Sequence, residues 1–444
     1  MKSNSVSPAR LAAFEILRRV EEGAYASVLL AAAEEQLNSS DRALCHELVM
    51  GVLRWQLWLD CLTEYYAKRK ITNLDIAVRI SLRLGLYQLR LLSHIPASAA
   101  VNESVNLVHL ARVRSAEGFV NAVLRRATRE PDYDPAADIA DPIERVAIKT
   151  SHPPWLIRRW TKASDFTEAE AFARANSEPA PIALRVVSTK ATDPAVIDLL
   201  RSSGADIFAS KVTKGAWRVS GTGNLLRELA RGGQVYIQDE ASQLVAEVVD
   251  AKSGDRVLDL CAAPGSKTTQ IADRAADSAN VVASDLREHR LHTVAETAKL
   301  HSLRSISCVA LDGLLPLPFK ENSFDRVLVD APCSGTGTLR RNPEIRWRIS
   351  AEDIRDLATR QKQLLFNASR VVRPGGWLVY STCSVEPEEN EEVVKAFFEG
   401  NDEFKQLELP VNPWLITASG AVRTWPHRGG TDGFFIAAFE RKHR

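Results

Sequence analysis

Two cysteines occupy positions in which a thiol could do chemistry. Cys333 lies in DAPCSGTG (330–337) and Cys383 in STCSVEPEEN (381–390), and each follows an apolar run typical of a β-strand. Parallel strands bind ligands beyond their carboxyl ends, and a thiolate is a nucleophile. For either cysteine alone a buried structural thiol is the commoner case. Two cysteines at one sheet edge change this balance and favour a functional role for them.

The remaining cysteines are scattered, with no CxxC pair and no histidine at metal-ligand spacing, so we predict no metal site. These four are Cys45, Cys61, Cys261 and Cys308. We find no signal peptide in the N-terminal sequence and no uninterrupted apolar span of membrane length. We therefore expect a reducing cytoplasm and no membrane partner.

From residue 236 onward, strand-like and helix-like patterns alternate, which predicts a parallel sheet covered by helices on both faces. The predicted strands are RVLDLC, NVVASD, SISCVALD, DRVLVDAP, GGWLVYSTC and FFIAAFER.

A loop of small residues follows the first of these strands, in VLDLCAAPGSKTTQIA (257–272), and leads into a helix. Small residues allow a ligand to approach the backbone, and a helix start offers free N–H groups. Asp285 ends the next strand, where a ribose diol would bind. The loop lacks G-x-G-x-x-G and G-K-[ST], which argues against nicotinamide cofactors and ATP. An adenosine-type ligand is the favoured hypothesis, and ordinary αβ packing is the alternative.

The first part of the chain has a different character. Residues 8 to about 130 repeat helical patterns, such as SSDRALCHELVMGVLRW, and predict an all-α bundle. The Pro- and Asp-rich stretch 130–144 is the best linker candidate. SHPPWLIRRWTKAS then mixes tryptophans with cations, which would suit RNA, although an amphipathic helix with tryptophans in the core is favoured. APIALRVV and GAWRVS predict strands of a small mixed α/β segment that runs to about residue 235.

The charge distribution does not decide between classes of partner. The net charge is +1 overall, and residues 151–235 hold 12 Lys+Arg against 8 Asp+Glu. A solvated surface explains this excess as well as a phosphate-binding face does. Two stretches that follow Cys333 are also of interest. The small residues of SGTGT (334–338) are expected to keep the backbone accessible, and RRNPEIRWR (340–348) supplies cations with one aromatic residue.

Four sequence motifs and the helical part of the chain resemble a known family. LDLCAAPGSKT, DAPCSGTGTLRRNPEIRW, YSTCSVEPEENEEVV and GGTDGFFIAAFER match, in order and spacing, the motifs of the RNA (cytosine-5) methyltransferases that use S-adenosylmethionine. The helical part, with SSDRALCHELVMGVLRW and GFVNAVLRR, is similar to NusB-like RNA-binding domains. This pairing resembles the RsmB (Sun) family, which modifies small-subunit ribosomal RNA.

The resemblance implies a two-cysteine mechanism. A thiolate adds to C6 of cytosine, C5 takes the methyl group, a base removes the C5 proton, and elimination frees the enzyme. By motif match, Cys383 is the nucleophile and Cys333 assists release. The resemblance also implies that Asp330 polarises the base through its N3 and amino edge, and that Lys267 lies near Cys383.

The same resemblance assigns S-adenosyl-L-methionine as cofactor. Cys261, Ala262, Ala263, Pro264, Gly265, Ser266 and Lys267 would hold its methionine and adenosine parts, Asp285 its ribose and Asp312 its adenine side, with Asp330 also in contact. Ser266 departs from the family's common Gly, which puts the detailed contacts of this loop in doubt.

The predicted fold class is multidomain. We expect an all-α NusB-like bundle (1–140), a small α/β RNA-binding linker domain (141–235) and a Rossmann-like class I S-adenosylmethionine-dependent methyltransferase domain (236–444). The expected partner is 16S rRNA, alone or in a small-subunit precursor, and a monomer is expected. Two alternatives stay open: a cytosine-5 methyltransferase acting on tRNA or 23S rRNA, and an RNA-binding transcription or assembly factor with a degenerate methyltransferase domain. An intact pair of thiols argues against the second.

Overall fold

The computed structural model describes residues 6–33 and 35–443, and these form two compact units. The first unit runs to Pro179 and also includes Leu339–Arg348, and the second comprises the chain from Ala180 to Thr338 and again from Ile349 onward. Residues 1–5, with which the first predicted domain begins, lie outside the described residues. The two units divide the chain at other positions than the three predicted domains do. Since units of this kind do not test the three ranges, those ranges remain a prediction.

The first unit is helical. Its helices up to Pro179 are α1 (Pro8–Glu21), α2 (Ala26–Ala33), α3 (Ser39–Arg54), α4 (Gln56–Ala67), α5 (Ile76–Leu91), α6 (Ala97–Leu110), α7 (Glu117–Arg129), α8 (Pro142–Thr150), α9 (Pro154–Ala163) and α10 (Phe166–Asn176). The Pro- and Asp-rich stretch separates α7 from α8, as its composition predicts.

Apolar residues at helical spacing build the core of this unit. In α1, Ala13, Phe14 and Leu17 are buried, and α5 lies in the centre with Leu82, Leu84 and Leu86 fully enclosed. This pattern is that of helices packed in several layers, where burial of apolar side chains supplies most of the stability.

The tryptophan-rich stretch forms α9, and it is amphipathic. Leu156, Ile157 and Trp160 are buried on one face, and the Trp160 ring packs edge-on against Phe172 at 4.6 Å between centroids. The interpretation of Trp160 as a core anchor is therefore confirmed.

The segment Leu339–Arg348 belongs to this helical unit and ends in the short helix α16 (Ile345–Arg348). The Arg346 side chain is fully buried, and it donates hydrogen bonds to the carbonyl oxygens of Ser151 (2.9 Å) and Asn176 (3.1 Å). Longer contacts reach the carbonyls of Arg54 and Thr150, both at 3.5 Å. Two of the cations that this stretch supplies, Arg340 and Arg346, are both buried.

Arg346 gathers the carboxyl ends of three helices, α3, α8 and α10. Those ends carry partial negative charge, which a buried guanidinium neutralises. Burial lowers the pKa of Arg346 to about 9, with Arg54 lowering it further and Glu344 opposing. The side chain is therefore cationic at neutral pH and holds these helix ends together.

The second unit begins with a small four-stranded sheet. Its elements are β1 (Ile182–Val186), α11 (Asp193–Ser202), β2 (Asp206–Ala209), β3 (Ala216–Ser220), α12 (Leu225–Arg231) and β4 (Val235–Ile237). The strand order β2-β3-β1-β4, with antiparallel neighbours, is that of a ferredoxin-like β-α-β-β-α-β unit.

A large sheet covered by helices makes up the rest of this unit. Its elements are α13 (Glu240–Val249), β5 (Arg256–Asp259), α14 (Ser266–Arg274), β6 (Asn280–Asp285), α15 (Glu288–Leu300), β7 (Ile306–Ala310), β8 (Phe324–Asp330), α17 (Ala351–Val371), β9 (Val372–Thr382), α18 (Glu391–Glu399), β10 (Phe404–Gln406), β11 (Val422–Arg423), α19 (Pro426–Gly429) and β12 (Phe435–Arg441).

The strand order β10-β12-β9-β8-β5-β6-β7 places the change of direction between β5 and β8. Strands β5 to β9 pair in parallel, whereas β12 is antiparallel to β9. A crevice for a ligand forms at such a switch point, beyond the carboxyl ends of the strands. The six predicted strands of this sheet are all present.

Sequence analysis did not predict four short strands, which are β2, β4, β10 and β11. They have two to four residues, and β2 is mostly exposed, so they carry no alternating apolar pattern. No helix among the described residues is long and apolar enough to cross a membrane.

We predict that Arg346→Met loosens the ends of the helices that it joins. Removing a buried donor from several carbonyls costs about 3 kcal/mol, so amides near the ends of α3, α8 and α10 should exchange hydrogen faster. Hydrogen exchange read by mass spectrometry measures this, with the exposed Arg355 changed to Met as control. Unchanged protection at those ends would show that Arg346 does not hold them.

Candidate active site

The two predicted cysteines meet at the carboxyl edge of the large sheet. Their Sγ atoms lie 3.3 Å apart, and both side chains are half-buried. The register explains the meeting, because Asp330 of β8 pairs with Ser381 of β9, and each cysteine follows within three residues. Two free thiols in contact can share one proton and present one thiolate.

The loop after Cys333 packs tightly under Cys383. Gly337 N–H donates to the Cys383 carbonyl at 2.9 Å, and Gly433 N–H donates to the Gly337 carbonyl at 2.8 Å. A Cβ at Gly337 would lie 1.9 Å from the Gly433 carbonyl oxygen. The expectation that the SGTGT backbone is accessible is therefore wrong: this run is buried, and its glycine permits close approach of the chain that carries Cys383.

An ion pair lies beside the thiols. Lys267 Nζ, near the start of α14, donates to Asp330 Oδ2 at 2.7 Å, and Ser381 Oγ donates to Asp330 Oδ1 at 2.7 Å. Lys267 also lies 5.3 Å from the centre of the Phe434 ring. The start of α14, the end of β8 and the end of β9 thus deliver a cation, a carboxylate and a thiol to one place.

The charges of this cluster are coupled. Burial alone would lower the pKa of Lys267, but Asp330 and then Cys383 raise it above its ordinary value. The hydrogen bond to Cys383, followed by burial, raises the pKa of the Cys333 thiol well above its ordinary value. Cys333 therefore keeps its proton at neutral pH, and the Lys267 ammonium attracts a negative charge on Cys383.

The small-residue loop Cys261–Gly265 joins β5 to α14 at the same edge. Gly265 has φ +105°, and a Cβ there would lie 3.1 Å from the Cα of Val294 in α15. The glycine thus serves helix packing as well as loop geometry. Ala262 N–H donates to the Ser284 carbonyl at 2.7 Å, which fixes the loop against β6, and burial raises the pKa of the Cys261 thiol well above its ordinary value.

The remaining predicted residues lie along the ends of β6 and β7. Asp285 ends β6, is buried, and accepts a hydrogen bond from the Arg287 N–H at 3.0 Å. Arg290 lies 3.3 Å from its other oxygen. Asp312 follows β7 and accepts from the Leu314 N–H at 2.9 Å. The structure therefore brings Asp285, Asp312 and Asp330 to one edge of the sheet.

Two buried carboxyl groups near the thiols were not predicted from sequence. Asp259 ends β5; burial raises its pKa to about 7, and a hydrogen bond from Thr268 opposes the shift. Glu389 is fully buried and bonds to the loops of both cysteines. The burial of Glu389 could not be predicted, because it lies within the acidic stretch PEENEE and such a stretch is usually exposed.

Three family models match successive parts of the chain. The first match, NusB family, covers residues 7–129, and the second, Methyltr_RsmF/B-like ferredoxin-like domain, covers 152–225. The third, 16S rRNA methyltransferase RsmB/F, covers 246–440.

Full-length relatives agree with these matches. The chain is 35% identical to the probable ribosomal RNA small subunit methyltransferase B of Bacillus subtilis, with 100% of each chain covered. It is 37% identical to the ribosomal RNA small subunit methyltransferase B of Pseudomonas putida, over 96% of this chain and 97% of the relative. The chain belongs to the RsmB/F family. The predicted family and fold class are therefore confirmed, as is the class of enzyme, an rRNA methyltransferase.

Solved structures share the fold of most or nearly all of this chain. The crystal structure of PH0851 matches with a TM-score of 0.84 at 28% identity, over 98% of this chain and 99% of the other. A methyltransferase homologue from Pyrococcus horikoshii matches with a TM-score of 0.59 at 26% identity, over 69% of this chain and 100% of the other.

The charge arrangement of this RsmB/F site predicts unequal reactivity of its thiols. At pH 8, iodoacetamide should modify Cys383 at least about tenfold faster than Cys333, because only the thiolate reacts and the raised pKa keeps Cys333 protonated. Peptide mass spectrometry over time measures both rates. Lys267→Met should slow the reaction at Cys383, whereas Lys320→Met, at an exposed position, should not. Faster labelling of Cys333 would contradict the assignment.

Proposed function

We propose that the protein transfers a methyl group from S-adenosyl-L-methionine to C5 of a cytosine in 16S rRNA, through a covalent bond between a cysteine and C6. The observation that carries this proposal is the contact of two free thiols, 3.3 Å between Sγ atoms, beside a lysine–aspartate pair. Family membership supports the RNA substrate and the class of reaction.

Cys383 is the better nucleophile of the pair. The Lys267 ammonium stabilises a thiolate at Cys383, whereas the pKa of the Cys333 thiol is raised well above its ordinary value. A thiolate held in this way can attack C6 of a cytosine, which places electron density on C5. The attacked base must leave its stack to reach a half-buried sulfur.

Cys333 acts in the release of the product. Once Cys383 is bonded to C6, the Cys333 thiol gives its proton to solvent, and the resulting thiolate accepts the proton of C5. The bond between Cys383 and C6 then breaks, which frees Cys383 as a thiolate beside the reprotonated Cys333. We assign this role to Cys333 because a thiol with a raised pKa suits acid–base work better than attack.

Asp330 is assigned to the N3 and amino edge of the cytosine. It ends β8 three residues before Cys333, and Lys267 and Ser381 orient its two oxygens. A carboxyl group fixed from both sides can bind the polar edge of the base while Cys383 reacts at C6. Lys267 positions Asp330 and attracts the charge of Cys383.

The residues at the sheet edge suit S-adenosyl-L-methionine. The carboxylates of Asp285 and Asp312 can accept hydrogen bonds from ribose hydroxyls and the adenine amino group, and Asp330 can accept from the methionine ammonium. The loop Cys261–Gly265 leads into α14, which begins with Ser266 and Lys267 and where backbone N–H groups are available. When bound there, the cofactor supplies an electrophilic methyl group.

The proposal also includes the cellular compartment, the RNA partner, the oligomeric state and the domain ranges. Two adjacent thiols need a reducing environment, which points to the cytoplasm. We propose 16S rRNA, free or within a small-subunit precursor, as partner of a monomer. We also keep the three ranges 1–140, 141–235 and 236–444 as the proposed functional domains.

The assigned roles predict opposite behaviour of two cysteine variants. Cys383→Ala should abolish methyl transfer and form no covalent complex with RNA. Cys333→Ala should accumulate an RNA adduct that survives a denaturing gel, because addition proceeds and elimination fails. Cys308→Ala, at an exposed cysteine of β7, is the control and should behave as the unaltered protein. An adduct with Cys383→Ala and none with Cys333→Ala would exchange the two roles.

A further inference from the structure

The two cysteine loops share a sequence feature beyond the thiols. Each cysteine is followed directly by a serine, Ser334 in one loop and Ser384 in the other. Both serines are buried, and their hydroxyl oxygens lie 3.0 Å apart. The loops therefore meet twice, once through sulfur and once through this pair of hydroxyls.

One carboxylate binds both serines. Glu389 Oε2 accepts hydrogen bonds from the hydroxyls of Ser334 and Ser384. Glu389 Oε1 accepts from the Ser334 N–H at 2.8 Å and from Gln361 Nε2 at 2.9 Å. These four donors are uncharged and use both oxygens of the carboxylate.

The same network also holds the residue before Cys333. Gln361 Nε2 donates to the Pro332 carbonyl at 2.9 Å, so Glu389 and Gln361 fix both sides of this cysteine. Tyr380, in β9, donates its hydroxyl to the Glu389 carbonyl at 2.6 Å and lies 3.2 Å from Gln361 Oε1. The main chain of Glu389 is thus itself fixed to the strand that delivers Cys383.

A fully buried carboxylate without a cationic partner among these contacts is costly unless its hydrogen bonds are complete. Burial raises the pKa of Glu389, and the hydrogen bonds from Ser334, Ser384 and Gln361 oppose that shift. A neutral glutamine of the same shape would avoid the cost of burying a charge, yet it would turn one acceptor into a donor that faces other donors. The arrangement specifically requires an acceptor for both loops.

We propose that Glu389 is a positioning residue for methyl transfer, which holds Cys333 and Cys383 at the spacing that lets them share a proton. This inference rests on the proposed function for its effect on rate, although the spacing itself can be tested without RNA. Each serine adjoins a cysteine, so release of either hydroxyl from Glu389 changes the direction of a thiol.

The test compares Glu389→Gln with Glu392→Gln, a control at an exposed glutamate of α18. Because a displacement of about 1 Å can lower a rate about a hundredfold, Glu389→Gln should lower kcat by about that factor. KM for 16S rRNA should change less than about twofold, since Glu389 is buried and does not touch RNA. A general loss of folding would instead lower the active fraction and leave the kcat of the remaining molecules unaltered.

A second readout reports the thiol spacing alone. Diamide oxidises two adjacent thiols to a disulfide, with its own reduction to the hydrazine, and mass spectrometry follows the loss of two hydrogens. We expect Cys333 and Cys383 to close at least about tenfold more slowly in Glu389→Gln, because closure depends on thiol access and direction. Ser384→Ala, which removes one of the four donors and retains the carboxylate, should show a smaller effect in the same direction.

The outcomes separate the two claims. Equal closure rates and equal kcat in Glu389→Gln and the control would overturn the positioning role. Slower closure in a protein whose unaltered form does not methylate 16S rRNA would support the positioning role and refute the proposed function. If Glu389→Gln does not fold, Ser384→Ala decides, and unaltered closure and kcat in that variant overturn the proposal.

Discussion

The contact between the Sγ atoms of Cys333 and Cys383 is the constraint on which the rest of the candidate site depends. Two thiols at 3.3 Å can carry one negative charge between them, since the first thiolate is stabilised by the remaining S–H and a second is opposed by like charge. The contact requires two parallel strands in the right register, a glycine where the loops cross, and a cation close to one sulfur. β8 and β9, Gly337 and Lys267 meet these requirements.

The polar groups behind the thiols show how this contact is maintained. Lys267, Asp330 and Ser381 form one hydrogen-bonded group. Glu389 forms a second group with Ser334 and Ser384, the serines that follow the two cysteines. Buried polar groups of this kind are stable only when their hydrogen bonds are complete, and they then specify one arrangement. We therefore infer that the chemistry of the cysteines depends also on Glu389, Ser334 and Ser384, to which the proposed function assigns no contact with substrate.

Sequence analysis could predict the parts whose signals are local. The strands of the large sheet, the helices of the first unit and the two cysteines each follow from short apolar patterns and from what comes directly after them. The positions of Glu389 and Arg346 could not be predicted in this way, because both are charged residues that occur in charged stretches and yet are fully buried. Their partners lie far along the chain, and Gly337 likewise fits against Gly433, so only the folded structure reveals why these residues are needed. RRNPEIRWR, which follows the Cys333 loop in sequence, belongs to the helical unit for the same reason.

Methyl transfer from labelled S-adenosyl-L-methionine tests most directly whether this protein methylates a cytosine of 16S rRNA. Unmodified 16S rRNA, 23S rRNA and tRNA are offered in parallel, and bisulfite sequencing locates the product in whichever RNA takes up label. We predict label in 16S rRNA, at one protected cytosine. Label in tRNA or 23S rRNA alone would retain the two-cysteine chemistry and contradict the substrate, and no label in any RNA would contradict the proposed function.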